Sequence, residues 1–179
     1  MNEKHSRPEW VFGYGSLIYK VDFPYLDKSV ASLAGWERRF WQGSHDHRGT
    51  PEAPGRVVTL VPAPGANCMG VAYLVEPAVF AHLDHREKNG YQRIVQKLSL
   101  NARNESVNGV VYVADCKNPA FMGPAADDEL AAHIQASHGP SGSNRDYLLQ
   151  LATALREIGE HDAHVMALES QLYAINNSS

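Results

Sequence analysis

The chain has 179 residues, 44% apolar and 20% charged, and its 20 acidic residues against 16 lysines and arginines give a net charge of -4. This is the composition of an ordinary soluble globular domain, long enough to bury a core without staples and without a global attraction to nucleic acid or an anionic membrane. No apolar run approaches the roughly 20 residues that span a bilayer. The polar stretch 1–9 lacks the apolar core of a secretory leader, and two cysteines, Cys68 and Cys116 in strand-like contexts, are too few for a disulfide framework; a reducing cytoplasm is expected.

Residues 11–14 read as a strand, and Gly13 and Gly15 around Tyr14 then turn the backbone sharply. Glycine permits positive φ and removes the Cβ that would hold a ligand away from main-chain N–H groups, and successive N–H groups of this kind suit a carboxylate. Strands follow at 32–41 and at 55–61, the latter β-branched between Pro54 and Pro62. A turn-rich stretch at 62–67 separates it from another strand at 68–75. A short helix at 77–87 faces Val79, Phe80 and Leu83 inward, with Pro77 in its first turn.

Strands at 91–100 and 107–114 complete the first two-thirds. The last third is helical. Residues 126–137 begin with acidic side chains and stop by Gly139; 144–158 sets Leu148, Leu151, Leu155 and Ile158 on one side; 162–175 does the same with Val165, Leu168, Leu172 and Ile175. Strands first and helices afterwards indicate an α+β fold, a curved or barrel-like sheet with helices packed outside, in a single domain with its core at about 10–175.

Glu87 lies where the short helix meets the next strand, ahead of the tight turn Asn89-Gly90. A carboxylate held there against a sheet is partly desolvated, which raises its pKa toward that of a useful proton acceptor; the plainer reading is a surface pair with Arg86 or Lys88. His45 and His47 alternate, so one strand face can present both, but no third ligand of matching spacing is evident and Arg48 adds repulsion. No metal is expected. His82/His85 and His161/His164, spaced i, i+3, read as solvated polar faces.

In the turn 139–147, Ser143 or Asn144 can cap the following helix, and Tyr147 either joins the core or aims its hydroxyl at an anion-friendly corner. Ser16 lacks the trailing glycine of a nucleophile elbow, since Ile18 stands there, and Cys68 has no nearby cation to lower its pKa. Acyl-enzyme chemistry is therefore not expected.

Nine blocks in order carry a resemblance: Val-Phe-Gly-Tyr-Gly-Ser-Leu-Ile (11–18), Val-Asp-Phe-Pro-Tyr (21–25), Arg-Arg-Phe-Trp-Gln-Gly-Ser (38–44), Asp-His-Arg-Gly (46–49), Pro-Gly-Arg-Val-Val-Thr-Leu-Val (54–61), Gly-Val-Ala-Tyr (70–73), Arg-Glu-Lys-Asn-Gly-Tyr (86–91), Gly-Pro-Ser-Gly (139–142) and Tyr147-Leu148. Over about residues 10–168 the chain resembles the ChaC family of glutathione-specific γ-glutamylcyclotransferases, particularly its short eukaryotic-type members. The resemblance implies a small mixed β-barrel with the pocket at one mouth, and cleavage of glutathione into 5-oxoproline and cysteinylglycine. It implies a glutamate base at Glu87 and a γ-glutamyl-binding segment of Val11, Phe12, Gly13, Tyr14, Gly15, Ser16 and Leu17. Arg39 or Tyr147 would contact the substrate carboxylates. Asn89 replaces a frequent glycine, and Tyr19 a frequent tryptophan.

The chemistry expected is an intramolecular aminolysis that needs no cofactor: the substrate α-amine attacks its own γ-carbonyl while Glu87 moves the proton. The partner is a small molecule, with neither nucleic acid nor membrane, and the protein is expected to be a monomer. Two alternatives stay open at this stage, other γ-glutamyl substrates and a non-catalytic binding module.

Overall fold

The computed structural model describes residues 7–88 and 90–177, so the departure at Asn89 lies outside the described residues. In chain order the elements are β1 (Glu9–Gly13), β2 (Asp27–Ser44), β3 (Gly55–Val75), α1 (Val79–Arg86), β4 (Gln92–Leu100), β5 (Glu105–Val113), α2 (Asp127–Ala136), the two-residue strands β6 (His138–Gly139) and β7 (Gly142–Ser143), α3 (Asn144–Glu157) and α4 (Ala163–Asn177). A 3-10 turn, Ser16–Ile18, follows β1.

Five strands close a barrel in the order β1-β3-β2-β4-β5. β1 runs antiparallel to β3, with Val11 opposite Tyr73, and parallel to β5, with Val11 opposite Val110. The parallel β1–β5 seam beside antiparallel ones makes the barrel mixed, as expected. β1 has a paired neighbour on each edge, and the burial of the consecutive residues Val11, Phe12 and Gly13 shows that both of its faces are covered there. β4 and β5 form a long hairpin from Gln92 opposite Val113 to Leu100 opposite Glu105. Asn104, at φ 50°, turns it, a conformation asparagine tolerates better than most residues. A Cβ on Gly109 would stand 2.3 Å from Leu98 Cδ1, so the Leu98 side chain would have to move aside.

The turn expected at 62–67 is not a break. β3 runs unbroken through it, with Pro62 and Pro64 exposed and Gly65 at φ 85°. Proline is tolerated in a strand where its missing N–H faces solvent, and a left-handed glycine bends a strand without ending it.

The chain forms two compact units, Met1–Glu37 with Pro62–Ala114, and Arg38–Val61 with Asp115–Ser179. In the first, α1 buries Val79, Phe80 and Leu83, as its spacing predicts. Each such side chain contributes about 1.5–3 kcal/mol when fully withdrawn from water. In the second, α2, α3 and α4 pack on one another through Leu130, Ile134, Leu148, Leu151, Leu155, Val165, Leu168 and Leu172, all fully buried. Phe40, from the end of β2, meets the Tyr147 ring edge-on at 5.8 Å. Among the described residues no helix is long and apolar enough to cross a membrane.

Candidate active site

The glycine turn after β1 is shaped by close packing rather than by left-handed backbone. Neither Gly13 nor Gly15 has positive φ, contrary to expectation; Gly15 sits at φ -131°. The chain instead folds back onto Gly13, where a Cβ would lie 2.8 Å from Leu17 Cβ, and Gly70 on β3 lets the Gly13 carbonyl approach to 2.2 Å of its own ideal Cβ position. Within the turn Ile18 N–H donates to Gly15 O at 3.0 Å and Lys20 N–H to Ser16 O at 2.7 Å. The N–H groups of Ser16 and Leu17 precede the first internal bond of the turn, so they have no acceptor inside it.

The turn is braced from the barrel. The Tyr14 hydroxyl donates to the Tyr112 carbonyl, and the Tyr73 hydroxyl donates to Leu17 O at 2.8 Å. Burial, together with the nearby Tyr25, pushes the Tyr73 phenol up to about 12. Tyr73 is therefore neutral at ordinary pH and remains a donor. Tyr112 in turn donates to Asp84 Oδ1 at 2.6 Å, linking β5 to α1; burial first, then this carboxylate, raise its pKa.

The C-terminal end of α1 meets the same turn. Arg86 donates through Nη2 to Ser16 Oγ at 3.0 Å, and through Nη1 to Lys20 O at 3.0 Å and Asp22 Oδ1 at 2.8 Å. Asp22 also faces His82 Nε2 at 3.1 Å. Burial pushes the Asp22 carboxyl up, but His82 and Arg86 outweigh it and hold the group below its ordinary value. Glu87 is the next residue, half-buried, and caps α1 with its N–H on Leu83 O at 2.9 Å. The structure thus brings Ser16 and the Arg86 side chain together within the first unit, with Glu87 next in sequence. Val11 and Phe12 lie in β1 with their side chains in the core, so within the 11–17 run it is residues 14–17 that form the turn.

Arg39 and Tyr147 belong to the second unit. Tyr147 is buried, its hydroxyl accepting from Val58 N–H at 3.2 Å, and Arg39 donates to Arg38 O at 2.9 Å. In that unit Ser143 caps α3 by accepting from Asp146 N–H at 3.0 Å, while Asn144 pairs with both backbone groups of Arg56 at 2.7 Å. The Gly-Pro-Ser-Gly block is a packing node: a Cβ on Gly139 would stand 2.5 Å from the His47 and Gly49 carbonyls.

β2 ends at Ser44, so His45 and His47 sit on a bend and not on a strand face; His47 Nδ1 meets Ser141 Oγ at 3.0 Å. Among the described residues no three His, Cys, Asp or Glu side chains gather as a metal site. Cys68 lies in a strand as expected and is buried, whereas Cys116 is exposed in a turn and not in a strand. His164 corrects the expectation of a solvated face. It is partly buried, its Nε2 accepts from Phe40 N–H at 3.0 Å, and burial with the nearby Arg39 lowers its pKa to about 4.

Sequence reasoning missed Arg86 and Asp22 as site residues, and Tyr73 and Asp84 as braces. One signal was present: His82 and Arg86 stand four apart on α1 and so share a face, onto which both meet Asp22.

A family model described as ChaC-like protein matches residues 9–174. The chain is 43% identical to the γ-glutamylcyclotransferase 2-3 of Arabidopsis thaliana, over 95% of this chain and 91% of that one. It is 38% identical to the glutathione-specific γ-glutamylcyclotransferase 1 of Homo sapiens, over 93% and 79%. The crystal structure of the glutathione-specific γ-glutamylcyclotransferase from yeast superposes with a TM-score of 0.87 at 32% identity, covering 94% of this chain and 96% of that one.

Proposed function

We propose, since the chain belongs to the ChaC-like protein family, that the turn at 14–17 and Glu87 together perform the cyclotransferase reaction. The protein is a glutathione-specific γ-glutamylcyclotransferase, a lyase that releases 5-oxoproline and cysteinylglycine. The family match at 9–174 runs through both compact units, which supports reading about 10–175 as one catalytic domain.

The reaction closes a lactam. The α-amine of the γ-glutamyl group attacks the γ-amide carbon, the C–N bond to cysteine breaks, and the departing nitrogen takes a proton. No water is consumed and no electrons are exchanged, so the residues present suffice. An α-amine titrates near 8, so only about a tenth of it is neutral at pH 7. Glu87 accepts the amine proton as attack proceeds and returns it to the leaving nitrogen.

The N–H groups of Ser16 and Leu17 hold the substrate α-carboxylate or the oxyanion that forms at the γ-carbon. Holding the glutamyl chain curled is the other large contribution, because ring closure depends on a near-attack geometry. The observation that carries this reading is the Arg86–Ser16 hydrogen bond, which sets the residue preceding Glu87 against the turn. Free cysteines at 68 and 116 support a reducing, cytoplasmic setting.

Glu87→Gln keeps the side-chain shape and removes the base. Mass-spectrometric product analysis with reduced glutathione should show 5-oxoproline release reduced by about 10²–10⁴-fold in a folded variant, the range of a lost general base. Near-normal release would sink the assignment. Running γ-glutamyl-alanine in parallel tests the glutathione preference, since equal turnover would place the protein with the broader cyclotransferases.

A further inference from the structure

The structure assigns Arg86 as a positioning residue that couples the substrate turn to the catalytic carboxylate; this rests on the function proposed above. Three acceptors from one short segment converge on its guanidinium: Ser16 Oγ at 3.0 Å, Lys20 O at 3.0 Å and Asp22 Oδ1 at 2.8 Å. The side chain is 13% exposed against 42% for Asp22, so the charged fork lies inside the site and its counter-ion faces solvent. A guanidinium spreads five N–H donors over a rigid plane, so Nη1 and Nη2 serve acceptors on different sides, whereas the three donors of an ammonium radiate from one nitrogen.

Two consequences follow for the reaction. The α1 end cannot shift from the 16–22 segment without breaking these bonds, and Glu87 is covalently next to the clamp. Because Arg86 donates to Ser16 Oγ, a lone pair of that oxygen is taken and the hydroxyl proton is turned away from the guanidinium. Ser16 thereby becomes a directed donor for the substrate anion, with a cation behind it. Asp22, shared by Arg86 and His82, fixes the fork from its outer side.

The test is a double-mutant cycle on the full chain with reduced glutathione, using Arg86→Met, Ser16→Ala and their combination, with kcat and KM measured separately and folding checked by thermal melting. Arg86→Met is expected to lower kcat at least tenfold and to raise KM, and Ser16→Ala chiefly to raise KM. The combination should lose clearly less than the product of the two single effects. Arg86→Lys should recover only part of the loss. Should Arg86→Met fail to fold, Asp22→Asn, altered at an exposed carboxylate, is expected to lower kcat several-fold with the melting temperature preserved.

Multiplicative effects in the cycle, or unchanged kcat and KM in folded Arg86→Met or Asp22→Asn, overturn this inference alone, provided that wild type is active and Glu87→Gln is not. Folded wild type inactive on glutathione, or Glu87→Gln as active as wild type, overturns the underlying reading and this inference with it.

Discussion

Gly13 is occupied by glycine because another part of the chain stands where a side chain would go. Its φ is unremarkable, but a Cβ would press on Leu17 Cβ at 2.8 Å, and both atoms are anchored to backbone and cannot swing aside. Gly13→Ala should therefore displace the 14–17 turn and destabilise the fold by about 1–3 kcal/mol, the usual cost of overpacking. Urea unfolding would measure the stability, and KM for glutathione, expected to rise more than kcat falls, would report the turn. In the proposed mechanism Glu87 moves the proton, while Arg86, the residue before it, bonds to Ser16. The motif was legible at this scale because chemistry-bearing residue types are few. The partners of Arg86 were not, since Ser16, Lys20 and Asp22 lie far from it in sequence and only folding brings them near.

Among the elements, the strands and helices read from periodicity match those observed to within a few residues, apart from β2, which begins five residues before the strand expected at 32–41, the unforeseen short pair β6 and β7, and the joining of 55–61 and 68–75 into the single strand β3. That stretch misled because Pro62, Pro64 and Gly65 carry turn chemistry locally, while pairing along a sheet overrides it when the prolines face solvent. The start of α4 shows the opposite case, a local signal reinforced by a distant charge. Asp162 accepts from Val165 N–H at 3.0 Å as a cap and also pairs with Arg38 on β2 at 2.6 Å, where the Arg38 side chain is 1% exposed. Asp162→Asn can still cap, yet it removes the carboxylate charge that the buried Arg38 guanidinium meets at 2.6 Å. Breaking such a buried pair typically costs about 3–5 kcal/mol. Chemical denaturation should show a loss of that order; a change below about 1 kcal/mol, as for an exposed pair, would refute it.

For the molecule as a whole, His164 links stability to pH. Its folded-state pKa is depressed to about 4 from 6.5, so between these values the unfolded chain binds the additional proton. Stability is then full above about pH 6.5, falls as pH drops through the window toward 4, and levels off for this group below it. His164→Gln can still accept the Phe40 N–H through Oε1 but does not titrate. Melting temperatures from pH 4 to 7 should fall less steeply toward acid in this variant than in wild type, and identical slopes would refute the link. The sequence by itself determined the α+β class, the ChaC resemblance, the turn at 14–17 and the candidate base, because composition, periodicity and motif spacing are properties of neighbouring residues. Only the tertiary structure decided that β3 is continuous, that His164 is withdrawn from solvent, and that Arg86 reaches the turn. These depend on burial and on hydrogen bonds between segments 64 to 124 residues apart, as Arg86–Asp22 and Phe40–His164 illustrate, and no local pattern encodes which distant partner will satisfy a given donor.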